Sequence, residues 1–370
     1  MGLSSWTTAF LALVATSALP VTAAPSPSTT SETCARPYVR KEWRHLTDGQ
    51  RQQYIGAVQC MMKQPATATA TLSIVRNRFE DFLATHVAQT DFVHFVSTDT
   101  SIFKGIFYPY HRLLLHEYEK ALWSCGWDRS LGQPFWDWTL DTGSKDDFLN
   151  SPIFDTTLGF GGNGAFIPGN LSHPELPGFT VGPPNDIPDR TGGGCVVDGP
   201  FAGLGTYFGP QNNTELKDAL RCLRRDFSYD SLAQRASPAK IQEAMALPNY
   251  GDFEFVTDSQ SYHPAGHWGV GGLYGTMTDT YASPADPIFF LHHSNVDRSW
   301  WSWQMRDLAG REKDMSGPLV MFDYTNLLGG NATLDTPVWV GLGESRVEVK
   351  VADLMHIQKG PLCYTYESLY

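Results

Sequence analysis

A mainly α-helical fold with long loops and a few short strands is what this sequence predicts, and three features predict it. Residues 262–304 hold four of the eleven histidines, and His263 and His267 stand four apart, which places both imidazoles on one helix face. Apolar residues recur at helical intervals in several other stretches. Between them, residues 141–210 are rich in Gly and Pro with little periodicity, and the alternating valines of residues 346–351 give one of the few strand signals.

In chain order, Leu46-Thr47-Asp48-Gly49-Gln50 precedes a helical pattern at Tyr54, Ile55, Val58, Met61 and Met62. A second helix is expected over roughly residues 73–90 and delivers His86. Pro109 suits a helix start, which puts His111 in the first turn, facing the same way as Leu114 and Leu115. His116, five residues on, is turned away by about 140° and is expected at the surface or behind the ligands. Residues 214–224 and 238–246 carry further helical patterns. The last helix opens with Asp286 as N-cap and Pro287 at the first position, then runs apolar into the pair His292-His293, which makes it a buried helix.

The chain has 370 residues, 42% hydrophobic and 13% aromatic, enough to bury a sizeable core. Its formal charge of −12 argues against nucleic acid or an anionic membrane surface as partner, since both need a basic footprint. Residues 1–24 carry no charged side chain and read as a secretory signal, too interrupted by Thr16, Ser17 and Pro20 for a membrane anchor. Residues 25–33 read as a Pro/Ser/Thr-rich tail, and residues 34–370 as a single domain of a secreted, monomeric protein. Six widely spaced cysteines fit three disulfides of an oxidising compartment. Sequence alone leaves fifteen pairings open, although Cys195 with Cys222 could anchor the long loop. Asn170, Asn212 and Asn331 open glycosylation sequons.

The histidines carry the chemistry. His263 and His267, with a third imidazole from the His292-His293 pair, can converge on one ion, and His86, His94 and His111 offer a second trio. Neutral imidazole suits copper in both oxidation states, and three nitrogens per ion leave room for dioxygen and a substrate. The absence of a carboxylate from either trio disfavours magnesium, calcium or a di-iron carboxylate site. A zinc hydrolase built on histidines alone would not explain two trios.

With both trios assembled, Tyr108-Pro109-Tyr110-His111-Arg112 and Asp286-Pro287-Ile288-Phe289-Phe290-Leu291-His292-His293-Ser294-Asn295-Val296-Asp297-Arg298 resemble the two signatures of the tyrosinase family of type-3 copper proteins. The chain is most similar to its short secreted fungal tyrosinase-like or catechol oxidases, from about residue 40 to residue 366. The resemblance implies a four-helix bundle holding two copper ions, His86, His94 and His111 on one, His263, His267 and His293 on the other. It prefers His293 to His292 by family pattern alone. The implied activity is oxidation of o-diphenols or o-aminophenols by dioxygen, with small phenolic molecules as substrates; the alternatives are a tyrosinase with monophenol hydroxylase activity and a non-catalytic oxygen carrier. Phe289 resembles a residue that stacks near the substrate ring, though plain core packing explains it equally. Arg40 is expected to pack on Tyr364 and Tyr366 by cation–π contact, a structural role.

Departures from the family pattern matter too. Residues 97–104 look like an insertion between His94 and His111 that threatens the first copper site. Phe92 stands where some relatives carry a cysteine crosslinked to histidine, so no crosslink is expected. The chain ends four residues after Tyr366, so the shielding domain of longer relatives is not expected. In relatives that hydroxylate monophenols, the residue after the first histidine of the second trio is often Asn, which with a Glu holds a deprotonating water. Here Glu254 stands nine residues before His263, but the following residue is Pro264, which has no side-chain donor or acceptor.

Overall fold

The computed structural model describes residues 34–94, 105–168, 187–210, 220–318, 327 and 330–370. The expected signal and tail, the 97–104 insertion, the sequons at Asn170 and Asn212 and the side chain of Phe92 lie outside them.

Among the described residues the helices are α1 (Asp48–Met61), α2 (Arg78–Val93), α3 (Phe107–Ser124), α4 (Lys145–Leu149), α5 (Tyr229–Ala236), α6 (Pro238–Met245), α7 (Tyr250–Ser259), α8 (Tyr262–Gly271), α9 (Ile288–Met305) and α10 (Leu308–Arg311). The strands are short: β1 (Tyr38–Arg40), β2 (Gly205–Thr206), β3 (Arg221–Cys222), β4 (Pro337–Val340), β5 (Val347–Lys350) and β6 (Tyr364–Tyr366). They form three two-stranded ladders, β1 parallel to β6, β2 antiparallel to β3 and β4 antiparallel to β5. The fold is therefore the mainly α architecture that the sequence predicts, with its core in the packing of α2, α3, α8 and α9.

Local chemistry explains where the helices begin. Thr47 caps α1 by accepting from Gln50 N while the Gln50 side chain accepts from Thr47 N, a reciprocal pair that satisfies two otherwise unpaired donors. Asn77 caps α2 by accepting from Glu80 N, so this helix starts five residues later than residue 73. At α9 the N-cap is Pro287 rather than Asp286; the Asp286 carboxylate accepts from Ile288 N at 3.0 Å and is held by Arg225. The stretch expected to be helical at 214–224 is described only over 220–224, which is not helical and contains the two-residue strand β3, held to β2 and by the Cys195–Cys222 disulfide.

α9 is buried from Ile288 to Gln304, and its polar residues are accommodated by partners on other segments. Ser294 donates to the Gln133 carbonyl, Asn295 to the Tyr370 hydroxyl, Arg298 to Asp137, and Gln304 to the Met355 carbonyl. Asp297 accepts from Arg40 of β1 and Arg112 of α3, and Arg40 also pairs with Glu119. The Arg40 guanidinium sits 3.7 Å from the Tyr364 ring centroid and 5.6 Å from that of Tyr366, as the sequence led us to expect.

Two further disulfides, Cys34–Cys363 and Cys60–Cys125, use the remaining cysteines, so none is left to crosslink an imidazole. No described helix is long and apolar enough to cross a membrane.

Candidate metal centre

Helix periodicity delivers the imidazoles. His86 and His94 come from α2, the latter as its C-cap; His111 lies in the first turns of α3, His263 and His267 on α8, and His292 and His293 on α9. They form two groups, His86, His94 and His111 in one, His263, His267, His292 and His293 in the other. Within each, one ligand atom per residue lies within 4.8 Å of the others. The groups face each other: the His111 and His293 rings stack with centroids 4.1 Å apart, and those of His94 and His263 lie 5.9 Å apart and nearly parallel.

Hydrogen bonds fix which nitrogen of each ring is available. The Nδ1–H groups of His86, His111, His263 and His267 donate to the carbonyls of Tyr281 (2.8 Å), Phe107 (2.9 Å), Asp258 (3.0 Å) and Met277 (2.6 Å). A carbonyl only accepts, so each Nδ1 carries the hydrogen and each Nε2 keeps a bare lone pair. The Asp258 carboxylate also stands 2.9 Å from His263 Nδ1. Such a partner on the far nitrogen is what holds a metal-ligating imidazole in place. His293 is held by packing, between His111 and the Phe289 ring, which is also 4.1 Å away.

The donor set fits a cation in each group. The Nε2 atoms of His86 and His111 are buried without a hydrogen-bond partner, an expensive arrangement for a polar atom unless something else accepts the lone pair. His267 Nε2 lies 3.1 Å from His263 Nε2 and 3.2 Å from His293 Nε2. With both Nδ1 atoms of His263 and His267 protonated, their facing nitrogens present lone pair to lone pair, a repulsion that a positive ion between them removes.

Burial keeps His86, His111, His267 and His293 neutral, as ligation requires. It pushes His86 down to about 4, partly opposed by the Tyr281 carbonyl, and holds His111, His267 and His293 well below the ordinary histidine value, with neighbouring imidazoles adding to the effect. In the unfolded chain the same groups take up protons below about pH 6.5. Their contribution is therefore complete above that pH and is lost as the pH falls from about 6.5 towards 4, on the order of 3 kcal/mol for His86 alone. The metal-free protein is expected to unfold at a lower temperature at pH 5 than at pH 7.5; equal midpoints would contradict neutral, buried imidazoles.

Phe289 is fully buried between the groups, its ring 5.2 Å from His86, 6.2 Å from His111 and 6.0 Å from His267. Pro264 is buried in the first turn of α8, where its missing N–H costs no helical hydrogen bond. Glu254 is buried on α7, and its charge acts on Tyr250 one turn away. His116 is 9% exposed, so it is buried rather than at the surface, and it stands outside both groups. The carbonyls that orient the imidazoles, and the Trp138 indole that donates to His292 Nδ1 at 3.0 Å, are the parts that sequence reasoning missed. Trp138 belongs to a conspicuous Pro-Phe-Trp-Asp-Trp run, but a backbone carbonyl leaves no residue signature at all.

Residues 76–306, which carry all seven imidazoles, match the common central domain of tyrosinase. The chain belongs to the tyrosinase family. It is 33% identical to Tyrosinase P of Aspergillus terreus over 358 residues, covering 90% of this chain and 93% of that one. It is 31% identical to the N-acetyl-6-hydroxytryptophan oxidase ivoB of Emericella nidulans, over 89% of this chain and 92% of that one. Among solved structures, a variant of the polyphenol oxidase from Thermothelomyces thermophila superposes with a TM-score of 0.73 at 28% identity, over 90% of this chain and 89% of that one. A tyrosinase-family chain is a copper oxidoreductase, and the two histidine groups described above could hold metal ions.

Proposed function

We propose that this chain is a secreted dicopper oxidase that uses dioxygen to convert o-diphenols, and o-aminophenols, to o-quinones and quinone imines. The observation that carries the reading is the pair of buried imidazole groups facing each other with their Nε2 lone pairs turned inward. His86, His94 and His111 would hold one copper and His263, His267 and His293 the other. When bound, the copper pair supplies the redox chemistry with dioxygen. The protein supplies orientation through the carbonyls behind His86, His111, His263 and His267, and a water-poor setting through burial. Phe289, against both groups, is placed to orient an aromatic substrate. Two diphenols lose two electrons and two protons each, which reduces one dioxygen to two waters. The relatives named as a polyphenol oxidase and a hydroxytryptophan oxidase support a phenolic substrate, and the three disulfides and the exposed Asn331 sequon support secretion.

The test is copper content together with steady dioxygen uptake on 4-tert-butylcatechol. About two coppers per chain with sustained uptake is expected. Two coppers without uptake would make the chain an oxygen carrier, and an absence of copper would remove the reading altogether.

Substrate preference follows from Pro264. A monophenol, with a pKa near 10, must lose its proton to be hydroxylated, and a water held for that purpose needs polar partners. Pro264 offers none, and Glu254 alone would have to hold it. Turnover of dopamine is therefore expected to exceed that of tyramine by at least about tenfold, a discrimination of roughly 1.4 kcal/mol. Pro264→Asn is expected to narrow that gap while leaving copper content unchanged. Comparable wild-type rates on the two amines would sink the idea, as would a copper-replete Pro264→Asn variant with no gain on tyramine.

A further inference from the structure

Two adjacent histidines on α9 offer themselves to the second metal, and proximity does not choose between them. His292 and His293 both belong to the group with His263 and His267. The His292 ring lies 4.6 Å from that of His267 and 5.7 Å from that of His263, as close as the His293 ring at 5.3 and 5.1 Å. α8 even makes room for it. A Cβ on Gly266 would fall 2.2 Å from both Nδ1 and Cε1 of His292, so the ring edge rests on bare backbone between His263 and His267.

Hydrogen bonding separates the pair. The Trp138 indole nitrogen is a donor only, and it donates to His292 Nδ1 at 3.0 Å. A neutral imidazole has one N–H and one lone pair, so an Nδ1 that accepts leaves the hydrogen on Nε2. His292 then has no lone pair to give: one nitrogen is occupied by Trp138 and the other is protonated, a buried N–H that has no hydrogen-bond partner among the described residues and whose cost the Trp138 bond must offset. Among the described residues His293 Nδ1 receives no such donor, and its Nε2 points to within 3.2 Å of His267 Nε2. The indole is itself fixed, fully buried and stacked on Tyr262 with ring centroids 5.1 Å apart, next in sequence to His263.

Resting on the dicopper reading, we propose that Trp138 is a positioning residue that selects the third ligand of the second site: its N–H locks His292 in the Nε2–H tautomer and so excludes it, leaving the place to His293. The choice between two neighbouring imidazoles is thus made by a residue 154 positions away from His292.

The direct test needs no metal. Long-range proton–nitrogen correlation spectra of metal-free protein labelled with 15N-histidine, with His292 assigned by its loss in His292→Gln, should show a bare Nδ1 and a protonated Nε2. The opposite pattern overturns the proposal whatever the protein does with copper. A second test uses rescue. His293→Ala is expected to hold about one copper, because the locked His292 cannot replace the lost ligand. Trp138→Phe keeps an aromatic ring over Tyr262 but frees Nδ1, so His293→Ala/Trp138→Phe is expected to bind the second copper at least about tenfold more tightly than His293→Ala alone, within the 10- to 100-fold that supporting partners exert on a metal. If His293→Ala keeps both coppers while His292→Gln loses one, His292 is the ligand and the proposal fails, although the dicopper reading stands. A wild-type protein with no copper overturns that reading instead, and the tautomer spectrum still judges Trp138.

Discussion

Replacing His267 by alanine is expected to empty the second metal site while leaving the first in place, so that copper content falls from about two to about one per chain and catechol oxidation drops below about 1% of wild type. His267 is the hub of its group. Its Nε2 lies 3.1 Å from that of His263 and 3.2 Å from that of His293, and its Nδ1 is pinned to the Met277 carbonyl. Removing a partner one step behind a ligand already costs about 10- to 100-fold in affinity, so deleting the ligand at the centre should cost more than about 100-fold. Copper per chain measured after dialysis against a weak chelator checks the expectation. His116→Ala is the control, because His116 is as buried as His94, at 9% and 8% exposure, but lies outside both groups. It should retain both coppers. A His267→Ala protein that kept two coppers would refute the site, and a His116→Ala protein that lost one would show that burial of any histidine matters more than ligation.

The histidines were legible in the sequence because their spacing is a local property of a helix. His263 and His267 needed only the four-residue period, and α9 needed only its apolar run. The same locality explains the failures. Within the described part of residues 214–224, Arg221–Cys222 became β3 because the Cys195–Cys222 disulfide and pairing with Gly205–Thr206, both distant in sequence, override a weak helical pattern. His116 was expected at the surface or behind the ligands from its angle on α3, and the surface alternative fails because α3 is buried on nearly every face from Phe107 to Leu122, since neighbouring segments enclose it all round. Helical angle tells which residues share a face and not how many faces are covered. The fine orientation of the site was out of reach for another reason. Tyr281, Phe107, Asp258 and Met277 act on the imidazoles through their carbonyls, and any residue type can supply a carbonyl. Trp138 acts through its side chain, and only the folded distance to His292 reveals it.

The second large effect is expected at Asp297, one helical turn beyond His293. This carboxylate is buried and accepts from Arg112 Nε at 2.5 Å, Arg40 Nη1 at 2.9 Å, and the hydroxyls of Tyr364 and Tyr366 at 2.6 Å each. It therefore joins α9 to α3, to β1 and to β6 through one side chain. Together with Glu119, which accepts from Arg40 Nε at 2.7 Å, it balances two buried guanidinium charges. Asp297→Ala leaves one of those charges without a counterion and takes an acceptor from four donors, of which the Tyr366 hydroxyl keeps the Ser294 carbonyl and Arg40 Nη1 keeps the Tyr366 hydroxyl. Breaking a buried ion pair by removing one partner costs about 3–5 kcal/mol, which for a chain of this length lowers the unfolding midpoint by roughly 4–7 °C. Asp297→Asn separates charge from volume: it fills the same space but brings its own N–H groups toward donors, so it too should be strongly destabilised. A fall of less than about 1 °C in Asp297→Asn would show that the network contributes shape rather than charge pairing. The pH dependence has a definite sign. Burial alone would raise the Asp297 carboxyl, but Arg112 and Arg40, with the two tyrosine hydroxyls, hold it below the usual carboxylate range. Its stabilisation is then complete above about pH 4 and is lost only as the pH falls through the still lower value of the folded state. The gap in unfolding midpoint between wild type and Asp297→Ala should stay constant from pH 7 to about pH 5, where the histidines already weaken both proteins equally, and close only under stronger acid.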